Sequence, residues 1–253
     1  MLIPFLIIVG AVCWGSFLNV VGYRIIRGKS LMGRSMCPHC SKTIFWYDLI
    51  PLVSYAYLNG KCRHCMVSIS VLYPLIEAIT ALSFFMGYYM IDPAYYAASF
   101  LFFSALIVTI RTDLETLLIS QWTTLALVPF GILFSFIDMS TIYPLNSILG
   151  AVIGYLIPWL IGSVFYRITK KEGIGQGDFD LMALVGAFTG VIGVWATLFI
   201  GSLLGSFIGG IYLYLTGGSL RSNVKLPFGP FLALAAILYS LYAEQITQLL
   251  LGA

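Results

Sequence analysis

The run Gly173-Ile174-Gly175-Gln176-Gly177-Asp178 opens directly onto Phe179 and an apolar stretch that continues, with one expected turn at Gly190 to Gly193, as far as Leu215. Alternating glycines give a backbone that bends sharply and lets another chain approach closely, properties an ordinary helix cap does not need. The stretch beyond Asp178 is apolar enough to enter a bilayer, so an ionisable side chain stands at the mouth of a membrane helix. A carboxylate in such a helix costs about 2.5 to 3.5 kcal/mol on insertion scales and asks for a reason.

The rest of the chain has the same character. Of its 253 residues 60% are hydrophobic and 9% charged, with a mean hydropathy of +0.98, whereas an average soluble domain is about 25% charged. These residues cannot supply a soluble protein's polar surface. The expected fold is an all-α polytopic membrane protein of about eight transmembrane helices with a small zinc-binding cytoplasmic loop domain. Spans are expected at residues 3–22, 72–90, 94–111, 117–137, 148–166, 179–193, 196–215 and 230–249. The chain then divides into a first transmembrane helix (1–22), a tetra-cysteine loop (23–71) and a seven-helix core (72–253). Because no basic residue precedes the apolar stretch from Leu2 to Tyr23, that helix is expected to be retained rather than cleaved as a signal peptide.

Charge placement orients these spans. Arg24, Arg27, Lys29, Arg34, Lys42, Lys61 and Arg63 fall in the first loop, Arg111 in the third, Arg167, Lys170 and Lys171 in the fifth, and Arg221 and Lys225 in the seventh. All 13 Lys and Arg therefore share one face, while Asp92, Asp138 and Glu244 lie on the other. Positively charged loops stay in the cytoplasm, which predicts a multi-pass plasma-membrane protein with both termini outside. No nucleic-acid partner is expected.

The first loop carries Cys37-Pro38-His39-Cys40 and Cys62-Arg63-His64-Cys65. Two C-x-x-C knuckles at this spacing suit four thiolates around one Zn²⁺. Disulfides are the alternative, but a cytoplasmic loop faces a reducing compartment. With four protein sulfurs no position is left for water, so the metal would be structural, folding a loop too small for its own core. His39 and His64 read as exposed turn residues, and Cys13 as a buried packing residue of the first span.

Asp92 and Asp138 lie in outside turns, where solvent accounts for them. Asp113 and Asp178 each join an apolar helix on the cytoplasmic side. Taken singly, Asp113 reads equally as a helix N-cap or a partner of Arg111. Brought together in a low-dielectric site, two aspartates cannot both ionise comfortably; the ionised one takes a proton from water and the neutral one supports the oxyanion. The only two histidines sit in the knuckles, which leaves no imidazole for a Ser-His-Asp triad, and no H-E-x-x-H is present.

Together these residues resemble the bacterial type IV prepilin peptidases, among the G-x-G-D membrane aspartic proteases. The likeness runs through Gly15-Ser16-Phe17-Leu18-Asn19-Val20-Val21 with Arg24, both knuckles, Trp46-Tyr47-Asp48-Leu49-Ile50-Pro51, Tyr73-Pro74-Leu75-Ile76-Glu77, Asp113-Leu114, Gly175-Gln176-Gly177-Asp178 and Pro227-Phe228-Gly229-Pro230. The resemblance implies cleavage of the basic leader of prepilins or pseudopilins at the cytoplasmic face. It implies Asp113 and Asp178 as the catalytic pair, with Gly175 and Gly177 beside the substrate. It also implies N-methylation of the new terminus with S-adenosylmethionine, although the run from Gly173 to Gly177 has no preceding strand and is no dinucleotide fingerprint. The chain departs from the pattern at Ile119-Ser120-Gln121-Trp122, where the family commonly has Ile-Pro-Asp, and at Leu72, where an Arg is common. A peptidase without methyltransferase activity, a proton-coupled transporter and a structural assembly protein are the competing readings.

Overall fold

The computed structural model describes residues 2–170, 173–216 and 227–251. Lys171, Arg221 and Lys225 lie outside the described residues. Within them the chain is helical, with two isolated antiparallel bridges, Met36 to Thr43 and Lys61 to Ser68. It forms two compact units, Met1–Tyr89 and Met90–Ala253.

In the first unit, α1 (Leu2–Ile26) and α3 (Leu72–Met90) flank the loop, which holds a 3-10 turn at Trp46–Leu49 and the short α2 (Val53–Tyr57). The buried residues of α1 are Ala11, Gly15, Leu18, Asn19 and Gly22, a single stripe at three- and four-residue spacing. Gly15 lies where a Cβ would come within 2.8 Å of Thr80 Oγ1, so α1 and α3 touch closely there. Asn19 Nδ2 donates to the Tyr73 carbonyl at 3.1 Å. Cys13, expected to be buried, is exposed, because it falls off this stripe. The loop is tied to α3 by the buried Glu77, whose Oε2 accepts the Leu52 N–H at 2.8 Å. Leu52 holds a φ of 60° there, uncommon for a residue with a side chain.

The second unit is built around α4 (Tyr96–Thr116), in which every residue from Phe102 to Asp113 is buried. A helix buried all round is a core helix. Against it packs α8 (Gly229–Leu241), which also packs on α7 (Gln176–Thr216); in the first half of α7, where Leu181 to Gly190 are all buried, Phe188 stacks on Phe102 of α4. Outside these lie α5 (Val128–Phe136) and α6 (Pro144–Thr169). Glycine lets α6 and α7 meet backbone to backbone: Gly150 faces the Gly186 carbonyl and Gly154 the Met182 carbonyl. Small residues permit such approach where apolar helices associate in lipid. Ser147 adds a hydrogen bond from its hydroxyl to the Ala187 carbonyl at 2.6 Å.

The 41 residues of α7 are two helices that meet at Gly190, whose φ of 71° and ψ of −173° are not helical. The same point on Gly154 that faces the Met182 carbonyl lies 3.3 Å from Val194 Cγ2. On a continuous helix residues 182 and 194 would be about 18 Å apart. The chain therefore turns back at Gly190, and its two arms run in opposite directions beside α6.

By length and hydropathy four helices can cross a membrane, Leu2–Ile26, Pro93–Thr116, Pro144–Thr169 and Gln176–Tyr212, or five if a bent pair counts as one. Among the described residues eight uninterrupted spans are not seen. Over 117–137 only Val128–Phe136 is α-helical, because Leu117 ends α4 in the left-handed conformation and the polar run after it folds as a turn. Over 230–249 the chain bends by 98° between α8 and α9 (Ala243–Leu251). Arg111, expected in a loop, is buried inside α4 and paired with Glu115 at 2.7 Å.

Candidate active site and metal centre

Asp113 stands in the last turn of α4 and is buried. Its Oδ2 accepts the N–H of Gly229, at the start of α8, at 2.9 Å. Residue 229 has no room for a side chain, since a Cβ would fall 2.8 Å from that oxygen. Neither simple reading of Asp113 describes it: the residue closes a helix instead of capping its start, and Arg111 pairs with Glu115.

Asp178 lies in the first turn of α7, also buried. Its Oδ2 accepts the Gly175 N–H at 3.2 Å, while its own N–H donates to the Gly175 carbonyl at 3.1 Å. A carboxylate reaching back to the first N–H of a helix is half of a capping box, and the helix dipole favours negative charge there. Asp178 thus starts α7 and faces Asp113, and the two carboxyl groups interact electrostatically.

Between these elements sits Ile119, on the turn that follows α4. Its side chain meets the Cβ positions of Gly177, at 2.7 Å, and Gly229, at 2.9 Å. Gly177 is thereby required by packing. Gly175 is not: a Cβ there would find only an ordinary 3.5 Å contact with Asp178, and the residue is exposed.

Sequence reading missed Asp180. It is 2% exposed and accepts a hydrogen bond from Gln121 Nε2 at 3.2 Å. The signal for it was its position inside an expected span, where any carboxylate is costly. The same signal applies to Glu77, inside the expected span 72–90.

In the first unit the sulfurs of Cys37, Cys40, Cys62 and Cys65 all lie within 4.8 Å of one another, and Cys37 Sγ is 3.8 Å from Cys65 Sγ. Four thiolates about 2.3 Å from one tetrahedral ion are about 3.8 Å apart, so the set suits a metal. The knuckles repeat one geometry. The Cys37 carbonyl accepts the Ser41 N–H and the Cys62 carbonyl the Met66 N–H, both at 2.9 Å. Ser41 and Met66 take matching φ values of 55° and 59°. The N–H groups of Cys65 and His64 aimed at the Cys62 sulfur bring its thiol down to about 7, favouring the thiolate a metal needs. His39 and His64 are exposed, as expected of turn residues.

Residues 100–214, which hold both aspartates and the turn between them, match the Type IV leader peptidase family. The chain belongs to that family. Residues 8–91 match the Bacterial Peptidase A24 N-terminal domain, so the two matches fall one on each compact unit. Among curated relatives of this leader peptidase, a "Prepilin leader peptidase/N-methyltransferase" of Dichelobacter nodosus is 35% identical over 93% of this chain and 90% of its own. One of the same description from Aeromonas hydrophila is 35% identical over 86% of this chain and 74% of its own. The Pseudomonas aeruginosa relative is 32% identical over 92% and 88%. No solved structure matches. The chain is accordingly a multi-pass membrane peptidase of the type IV leader peptidase family.

Proposed function

We propose that Asp113 and Asp178 are the catalytic pair, cleaving the basic leader of type IV prepilins or pseudopilins at the cytoplasmic membrane face. The observation that carries this is the gathering of two buried carboxyl groups, 65 positions apart, at one end of the core formed by α4, α7 and α8. One aspartate, ionised, takes a proton from the attacking water; the other, protonated, donates to the developing oxyanion. The pair acts as a unit, so neither role is assigned to one residue. Water reaches the scissile carbonyl across the gap between the carboxyls, and the glycine backbone at 175–177 is the edge along which the substrate lies.

The relatives' names support N-methylation of the new terminus as a second activity. In the run from Gly173 to Gly177 the Gly175 N–H is already bonded to Asp178 and is not free for a cofactor. The four cysteines fit Zn²⁺, which would fold the loop without taking part in hydrolysis.

The topology consistent with these residues keeps eight crossings and the parts 1–22, 23–71 and 72–253, with both termini outside and the aspartates at the plasma membrane's cytoplasmic face. The hairpin at Gly190 supplies two crossings, and 117–137 and 230–249 cross as broken elements. Mass spectrometry of a prepilin incubated with the purified enzyme and S-adenosylmethionine tests the reading. Leader loss plus a methyl group is expected; an intact prepilin refutes it, and cleavage without methylation leaves a peptidase alone.

A further inference from the structure

We propose that Ile119, Gln121 and Asp180 form a brace that sets the separation of the Asp113 and Asp178 carboxyl groups, with Ile119 the positioning residue and the Gln121–Asp180 hydrogen bond its anchor. This rests on the catalytic reading of the two aspartates.

The geometry is specific. Ile119 fills the space between Gly177, which precedes Asp178, and Gly229, whose N–H holds Asp113. Its side chain therefore lies against the backbone that carries Asp178 and against the residue whose N–H holds Asp113. On a helix, residues three apart share a face, so Gly177 and Asp180 present one side of α7 to the turn that carries Ile119 and Gln121. Residue 119 lands on the first and residue 121 on the second. Asp180 is two positions beyond Asp178, about 200° around the helix, and so points away from the reacting pair. Its carboxylate is an anchor, not a third acid.

The turn itself is stiff. The Ser120 carbonyl accepts the Thr123 N–H at 3.0 Å and the Thr123 and Thr124 hydroxyls at 2.9 and 3.1 Å. The Ala126 N–H closes onto the Gln121 carbonyl at 3.0 Å. Thr124 is fully buried. A rigid turn fixed at one end to Asp180 holds the isoleucine in place; freed, it lets the aspartates drift, and misplacement near 1 Å costs about a hundredfold in rate.

The test compares Ile119→Ala, Ile119→Val, Asp180→Ala and Asp180→Asn in the full-length enzyme in nanodiscs, with a prepilin peptide and a thermal melt for each. Ile119→Ala and Asp180→Ala are expected to lower kcat about ten- to a hundredfold with KM little changed. Asp180→Asn still accepts from Gln121 and should stay close to wild type, as should Ile119→Val. Wild-type kcat in folded Ile119→Ala would overturn the brace. So would equal damage in Asp180→Asn and Asp180→Ala, which would make the charge of Asp180 the important property. If Asp180→Ala fails to fold, the two isoleucine variants decide. Asp113→Asn separates the two claims: it should be inactive whether or not the brace holds, and only its activity would count against the catalytic pair.

Discussion

Replacing Gly229 by alanine puts a methyl group where the Asp113 carboxylate now lies. The new Cβ would be 2.8 Å from Asp113 Oδ2 and 2.9 Å from Ile119 Cδ1. Ordinary contact between such atoms is about 3.5 Å or more, so both neighbours must retreat by about 0.7 Å. Retreat by that amount stretches the 2.9 Å hydrogen bond from the Gly229 N–H beyond useful length. Overpacking costs about 1–3 kcal/mol, offset in part by the about 0.5–1 kcal/mol that alanine contributes over glycine in a helix. The protein should therefore melt within a few degrees of wild type. Catalysis depends on carboxylate placement and should fall about a hundredfold in kcat. Gly210→Ala is the control, since a Cβ there meets nothing within 4 Å. Initial rates on a prepilin peptide in nanodiscs, beside a melt of each variant, give the comparison. A folded Gly229→Ala enzyme with wild-type kcat would refute the reasoning.

Three further outcomes rest on the same kind of contact. Gly177→Ala should reduce activity sharply and Gly175→Ala only slightly in a leader-cleavage assay, because a Cβ at 177 collides with Ile119 at 2.7 Å and one at 175 collides with nothing; equal loss would show that packing on Ile119 is not what makes Gly177 necessary. Stripping the metal with a chelator, or Cys62→Ser, should expose the loop at 23–71 to protease, read by the appearance of loop fragments, with about one equivalent of zinc released per chain. The Arg63 guanidinium, hydrogen-bonded to Asp48 at 2.6 Å, holds that carboxyl below its ordinary value. The pair's contribution, small for so exposed a pair, is present above the usual aspartate range and lost as pH falls through the lowered value. Tryptic cleavage after Arg63 at neutral pH should accordingly speed up in Asp48→Asn.

Composition and charge placement were enough to read a helical membrane protein, because lipid leaves few ways to satisfy a backbone. The knuckles were legible because metal ligation fixes residue type and spacing together. Helix interruptions were not. Hydropathy counts apolar residues over a window, and the polar turn at Ser120 to Thr124 is short enough to be averaged away, as is the bend at Tyr242. The reversal at Gly190 was signalled by its glycines, though only the packing of Val194 and Met182 on Gly154 establishes it. Arg111 reads as a loop charge in the sequence because charge alone does not reveal that Glu115, one turn on, accompanies it in α4. In the site, Asp113 and Asp178 stood out by position, whereas Ile119 is an ordinary apolar residue whose importance comes from two glycines far away in sequence.

The most direct measurement is the rate of leader cleavage by Asp113→Asn and Asp178→Asn enzymes, each shown to be folded. Asparagine keeps the shape and the hydrogen bond from Gly229 or Gly175 while removing the proton chemistry. The expected result is no detectable product from either variant. Turnover at the wild-type rate in either one would contradict the assignment of the pair.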